Sequence, residues 1–276
     1  MSTIDLNADL GEGVGRDPAE LDAALLRLVT SANIACGGHA GSPDSMARVC
    51  EQAAQYGVAI GAQISYVDVE NFGRRKLDVP PIALVQQLVE QIELLDTIAR
   101  TYGTRVTYVK PHGALYNAAA DDATIVHAII EAIQTATRSP THPPAESSLV
   151  REPRSLVLLG LAGSSFERVA HECGQDFVPE AFADRAYTPT ARLVPRNVDG
   201  AVLHDLNLVT NQAVHLAVQQ QVTSIDGSTI AVQARSLCVH GDTRDAVELL
   251  HHVRNALWMH GLTLTAFAPP PLRLLP

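Results

Sequence analysis

Seven times along this chain a short apolar run that reads as a β-strand ends in polar residues and gives way to an amphipathic stretch that reads as a helix. The runs are TIDLNADL (3–10), SANIAC (31–36), VAIGAQ (58–63), VTYVK (106–110), SLVLLGLAG (155–163), DFVPEAFA (176–183) and a strand within TIAVQARSLCVHG (229–241). Helices are expected near 18–29, 43–56, 80–102 and 121–137, from 165, and near 206–220 and 243–259. Strand–helix alternation implies a parallel sheet, because each helical crossover returns the chain to the start of the next strand. Seven such units in 276 residues predict a single-domain α/β fold, a (β/α)7-type barrel. A doubly wound open sheet is the alternative. Residues 138–154, rich in Pro and Ser and without periodicity, are expected to form a surface insertion rather than a domain boundary.

The strand ends carry most of the chemistry: NADLGE, CGGHAG, KPHGALYN, EAFADR and CVHGD. In a βα barrel these ends share one face, the face on which active sites are built. Strand parity then sorts the side chains. Asp5, Asn7 and Asp9 alternate with Ile4, Leu6, Ala8 and Leu10, so an apolar face against the helices turns three polar residues into the barrel. By the same parity Tyr108, Lys110 and His112 go together, as do Cys238, His240 and Asp242. The expected inward cluster is Asp5, Asn7, Asp9, Lys110, His112, His240 and Asp242, with Glu12 and His39 on adjoining loops. A carboxylate in such a place has to be paired, metal-bound or protonated.

Charge and motif content exclude several functions. A net charge of −10 argues against a nucleic-acid partner, which wants a basic footprint. No apolar span of membrane length and no secretory leader is evident, and four cysteines without CxxC spacing fit a reducing compartment, so a cytoplasmic protein without a membrane partner is expected. There is no P-loop, no dinucleotide-binding glycine fingerprint, no HExxH and no GxSxG. A divalent metal, Mg or Zn, held by Asp9, His39 and His112 from separate strands is one reading of the cluster. A metal-free acid/base network of the same residues is the other, and the lack of any recognised metal spacing favours it. The helix starts at Ser42-Pro43, Ser164-Ser165 and Asp242-Thr243 are weak candidates for anion sites.

The motifs DLNADLGE, SANIACGGHAG, GFGRR, VKPHGALYN, EAFADR and CVHGD, in this order from residue 5 to about 267, resemble the LamB/YcsF family. The resemblance implies a barrel of the glycoside hydrolase/deacetylase kind. It also implies an ATP-dependent opening of the lactam of 5-oxoproline to L-glutamate, carried out with 5-oxoprolinase subunits B and C and with ATP as cosubstrate. On that reading Asp9 or Glu12 is a base or metal ligand, His112 a general acid/base, and Lys110 a stabiliser of negative charge. His240 and His39 complete the mouth. Asn7, His39, Arg74, Arg75 and Arg185 contact the substrate, with Asp184 orienting Arg185. The chain departs from the family's usual residues at Gly38 (commonly Phe), Ser42 (commonly Asp) and Gln63-Ile64 (often His-Pro), and Gln63 is therefore left out of the catalytic set. Two other functions stay open: a metal-dependent deacetylase or amidohydrolase of carbohydrate-like substrates, and a non-catalytic subunit that presents substrate.

Overall fold

The computed structural model describes residues 2–138, 155–241 and 245–268. The expected insertion at 138–154 lies, beyond Arg138, outside the described residues, as do Asp242 and Thr243. Seven parallel strands close into a barrel: β1 (Thr3–Leu10), β2 (Ser31–Ala35), β3 (Ala59–Ile64), β4 (Val106–Pro111), β5 (Val157–Leu161), β6 (Phe177–Phe182) and, after a small antiparallel hairpin of β7 (Gln221–Thr223) and β8 (Thr229–Ala231), β9 (Ser236–Cys238). Pairing of β9 with both β6 and β1 closes the ring, with Asp5 opposite Ser236 and Asn7 opposite Cys238. A short β10 (Thr263–Leu264) adds to the start of β1. The open-sheet alternative is thereby excluded.

The helices wrap the outside: α1 (Pro18–Leu26), α2 (Pro43–Tyr56), α3 (Pro81–Thr101), α4 (Gly113–Asp121), α5 (Ala123–Arg138), α6 (Ser165–Cys173), α7 (Leu206–Val214) and α8 (Ala246–Met259). Local sequence explains their ends. Asp17 and Ser42 cap α1 and α2 just ahead of a proline at the first helical position, and Gly57 (φ 69°) ends α2 in the left-handed region. The helix expected near 121–137 is α5, and ahead of it α4 is a further helix not expected from the sequence, parted from α5 at Asp122, which is extended (φ −117°, ψ 105°). Helix α4 starts immediately after β4, with His112 at its N-cap. No helix among the described residues is long and apolar enough to cross a membrane.

Two cores result. Outside the strands, Leu6, Leu10, Ile34 and Ile60 pack on the helices with Leu88, Ile92, Ile129 and Val253. Inside, the lower barrel is filled by Ala59, Tyr108, Leu159, Val178 and Ala268. Gly61 makes room for the Tyr108 ring, with which a β-carbon at position 61 would overlap. Above this plug the interior is polar, unlike the layers of Val, Ile and Leu usual in such barrels. Asp5, Asn7, Asn33, Gln63, Lys110, Glu180 and Ser236 are all buried there. That substitution of polar for apolar filling positions the site.

Candidate active site at the barrel mouth

Lys110 is the hub of the interior. Its ammonium lies 2.7 Å from Glu180 Oε1 and 3.4 Å from Asp9 Oδ1, and it donates to Asn7 Oδ1 (3.2 Å) and Cys238 Sγ (3.2 Å). Asn7 donates to Glu180 and Ser236, Asn33 donates to Asn7 and Asp9, and the Tyr108 hydroxyl donates to Asn33. Tyr116 from α4 completes Glu180 with a 2.9 Å bond. Burial alone would raise the Asp9 pKa, but the Lys110 ammonium, with the Asn33 hydrogen bond, outweighs it and holds Asp9 ionised well below the usual carboxylate range. Burial likewise opposes the Lys110 charge, and the Asp9 and Glu180 carboxylates reverse the balance, keeping it a cation. The Cys238 thiol is pushed well up by burial and stays protonated.

A second unit sits at the rim. Asp184, fully buried, accepts from the His240 backbone N–H (2.9 Å) and faces His240 Nδ1 at 2.9 Å. An ionised carboxylate only accepts, so Nδ1 carries the hydrogen and Nε2 is left as the basic nitrogen. The ring stacks on Phe182 (centroids 5.2 Å apart). Asp9, Lys110, His112, Phe182 and His240 form the inner wall of a cavity of about 570 Å³, and Arg74, Arg185, Arg192 and Arg196 lie around it. One pocket therefore offers a carboxylate, a buried cation, an oriented imidazole and several guanidiniums.

Beside this pocket is a third group. His39 and His112 stack face to face, with centroids 3.7 Å apart. Glu12 Oε1 lies 3.2 Å from His39 Nε2 and 3.5 Å from His112 Nδ1. The Gln63 amide donates to Glu12 Oε1 and to His112 Nδ1, each at 3.0 Å. Burial, then the neighbouring His39, pushes the His112 pKa well below the ordinary imidazole value, so His112 is neutral. The loop that closes over the pair turns at Gly73 (φ 64°), where a β-carbon would press on His39.

The LamB/YcsF family profile matches residues 4–270. The chain belongs to the LamB/YcsF family. Relatives named as the A subunit of 5-oxoprolinase share 49% identity in Streptomyces avermitilis, over 96% of this chain and all of the relative, and 46% in Paracidovorax citrulli, over 96% and 99%. The crystal structure of a lactam utilization protein from Thermus thermophilus superposes with a TM-score of 0.83 at 34% identity, over 96% of this chain and all of that one.

Within this LamB/YcsF fold the residues singled out by sequence separate into distinct places. Asp9, Lys110, His112 and His240 converge on the pocket. Asn7 lies beneath it, bonded to Lys110. Asp5 sits deeper still, bound by Thr30, Ser31 and Ser236. The expected metal set needs correction: Glu12, not Asp9, groups with His39 and His112, their ligand atoms lying within 4.8 Å of one another. Asp9 is drawn instead to Lys110 and Asn33 because β1 points it inward, whereas Glu12 lies past the strand end and reaches sideways. Asp184 is bonded to the His240 backbone and ring. Arg185 donates to the Val194 and Ala201 carbonyls and so shapes the rim. Arg74 lines the pocket over the Phe72 ring, while Arg75 is exposed and lines no part of it. The Ser42 and Ser164 helix starts, weak anion candidates, are capped by their own serine side chains.

Sequence reasoning misses Glu180, Asn33, Gln63 and Ser65. Glu180 has a readable signal, a carboxylate of the same parity as Phe182 and Asp184 in an otherwise apolar strand. Gln63, a departure from the family's usual residue, nevertheless bridges Glu12 and His112. The departure at Gly38 also has a physical counterpart, since a β-carbon there would collide with Ser65 Oγ and Gln91 Oε1, and Gln91 is bonded to the Ser65 backbone on both sides.

Proposed function

We propose that this chain is the ring-opening subunit of an ATP-dependent 5-oxoprolinase, acting with subunits B and C to convert 5-oxoproline and water to L-glutamate while ATP goes to ADP and phosphate. The observation that carries the reading is the pocket at the barrel mouth, where the Asp9–Lys110 pair meets the Asp184-oriented His240. The substrate comes from the name its full-length relatives share. A lactam nitrogen is a poor leaving group, and phosphoryl transfer to the amide oxygen would make the carbonyl carbon open to water. His240, whose Nε2 has no hydrogen-bond partner among the described residues, takes the proton of the attacking water and returns one to the ring nitrogen as the C–N bond breaks. A second water hydrolyses the acyl phosphate left behind, releasing phosphate and the new carboxylate. Lys110 opposes the negative charge that grows on the oxygen, and its own protonation is secured by Asp9 and Glu180. The pocket guanidiniums suit the substrate carboxylate, which a planar fork binds in two places. His112, with both ring nitrogens engaged, is better suited to hold the pocket wall than to shuttle protons.

The test is glutamate release from 5-oxoproline by the full chain, with and without ATP and the partner subunits. His240→Ala and Asp9→Asn are each expected to lower turnover by about 100-fold or more. Near-normal turnover in both folded variants would remove the site assignment. No glutamate in any combination of subunits would remove the reaction.

A further inference from the structure

The hydrogen bonds around His39 and His112 fix where their lone pairs point. Ser65 Oγ donates to the Tyr66 carbonyl (2.9 Å), so toward His39 Nδ1, 3.0 Å away, it can only accept. Nδ1 of His39 therefore carries the hydrogen, and Nε2 turns a lone pair toward Glu12 Oε1. His112 Nε2 lies 3.2 Å from the Phe72 carbonyl, which also only accepts, so its lone pair is on Nδ1 and faces the same point. Each imidazole thus donates one N–H, directly or through a hydroxyl, to a backbone carbonyl while aiming the other nitrogen at a carboxylate. That is the arrangement of metal-ligating histidines, whose outer hydrogen bond sets the tautomer.

Gln63 adds a fourth donor. It is fully buried, and its Oε1 has no hydrogen-bond partner among the described residues, while its Nε2 lies 3.0 Å from both Glu12 Oε1 and His112 Nδ1. Turning the amide over would bring the orphaned oxygen to the point where the lone pairs converge, a place it can occupy only if a cation lies between. The separations around that point are 3.0, 3.0, 3.2 and 3.5 Å. The edge of a tetrahedron around a zinc ion with ordinary bond lengths is about 3.3 Å.

We propose that Glu12, His39 and His112, joined by the Gln63 carbonyl, form a tetrahedral divalent-metal site of the zinc type behind the pocket wall. The donors come from the ends of β1, β2, β3 and β4, so the ion ties four strand ends together and fixes His112 where it lines the pocket. Two imidazoles and a carboxylate select a borderline ion such as Zn2+ over Mg2+, which prefers an all-oxygen octahedron. Glu12 also lines a shallow cavity of about 380 Å³ with Gly13, Gly41 and Arg48, which gives the ion a route in from solvent. The site stands independently of the ring-opening reading.

The test uses the full chain, stripped with chelator, dialysed, and titrated with Co2+ near neutral pH. The expected result is one equivalent bound, with the intense visible absorption of tetrahedral Co2+, displaced by Zn2+. His39→Ala abolishes the band. Gln63→Leu and Ser65→Ala each weaken binding by about 10–100-fold, and Gln63→Glu tightens it. Circular dichroism verifies the fold of each variant. A folded wild-type chain that shows no band, leaving Glu12 and His39 as a simple proton-shared pair, would overturn the proposal. So would a band that His39→Ala and Gln63→Leu both leave unchanged.

Discussion

Replacing Lys110 by Met keeps the length of the side chain and removes the positive charge that pairs with Asp9 and Glu180 in the barrel interior. At an effective dielectric of about 20, an ion pair at the 2.7 Å Glu180 distance is worth about 6 kcal/mol and one at the 3.4 Å Asp9 distance about 5. Desolvating the ammonium and two carboxylates offsets most of this, at several kcal/mol per ion. What the substitution measures is therefore the cost of leaving two carboxylates buried and unpaired, about 3–5 kcal/mol near pH 7. Adding Glu180→Gln removes one of them while keeping an acceptor for Asn7 and Tyr116. The double-mutant cycle is expected to give a coupling of about 2–3 kcal/mol. Asp9 sets the pH dependence. Its folded pKa lies below the unfolded value of 3.8, so in the wild type it contributes stability above that value and loses it as pH falls further. Without Lys110 that contribution is gone, and the gap between wild type and variant narrows on acidification. Equilibrium urea unfolding at several pH values measures both quantities. A loss below about 1 kcal/mol, or a coupling within about 0.5 kcal/mol of zero, would refute Lys110 as the neutralising hub.

Other regions give independent checks. Burial raises the Asp5 pKa from 3.8 to about 6 against the pull of its Ser236, Ser31 and Thr30 bonds. The fold thus prefers the protonated acid, and about 3 kcal/mol of stability is lost as pH rises from about 4 to about 6. Asp5→Asn should flatten that part of the stability–pH curve and raise stability near neutrality, which thermal unfolding across the range measures. Gly61→Ala should cost about 1–3 kcal/mol by displacing the Tyr108 ring, read as a lower urea midpoint with a changed near-ultraviolet tyrosine signal. Burial also pushes the Cys50 thiol up to about 12 and raises those of Cys36 and Cys238, while Cys173 is exposed. Native protein should then react with one equivalent of a disulfide reagent, and unfolded protein with four; fast modification of a second native thiol would contradict the burial.

What the sequence determined alone is what repeats at short range. Period-two alternation in TIDLNADL and in VTYVK, with helix caps such as Ser42-Pro43, is written within a few residues, and it is enough to predict a seven-stranded barrel with Asp9, Lys110, His112 and His240 at its polar end. The hairpin of β7 and β8, the break at Asp122 and the short β9 depend on packing, and the apolar pattern around them does not separate the pieces. Partnership was decided only by tertiary structure. Parity states that a side chain points inward, but closure of the ring decides what it meets. Asn7 finds Glu180 across 173 residues, and His240 finds Asp184 across 56. The same limit explains the metal set. Asp9 and Glu12 are three residues apart and chemically alike, and no local pattern distinguishes them. The strand end between them sends one into the barrel toward Lys110 and the other sideways to His39 and His112, beside a glutamine that no local pattern marks out.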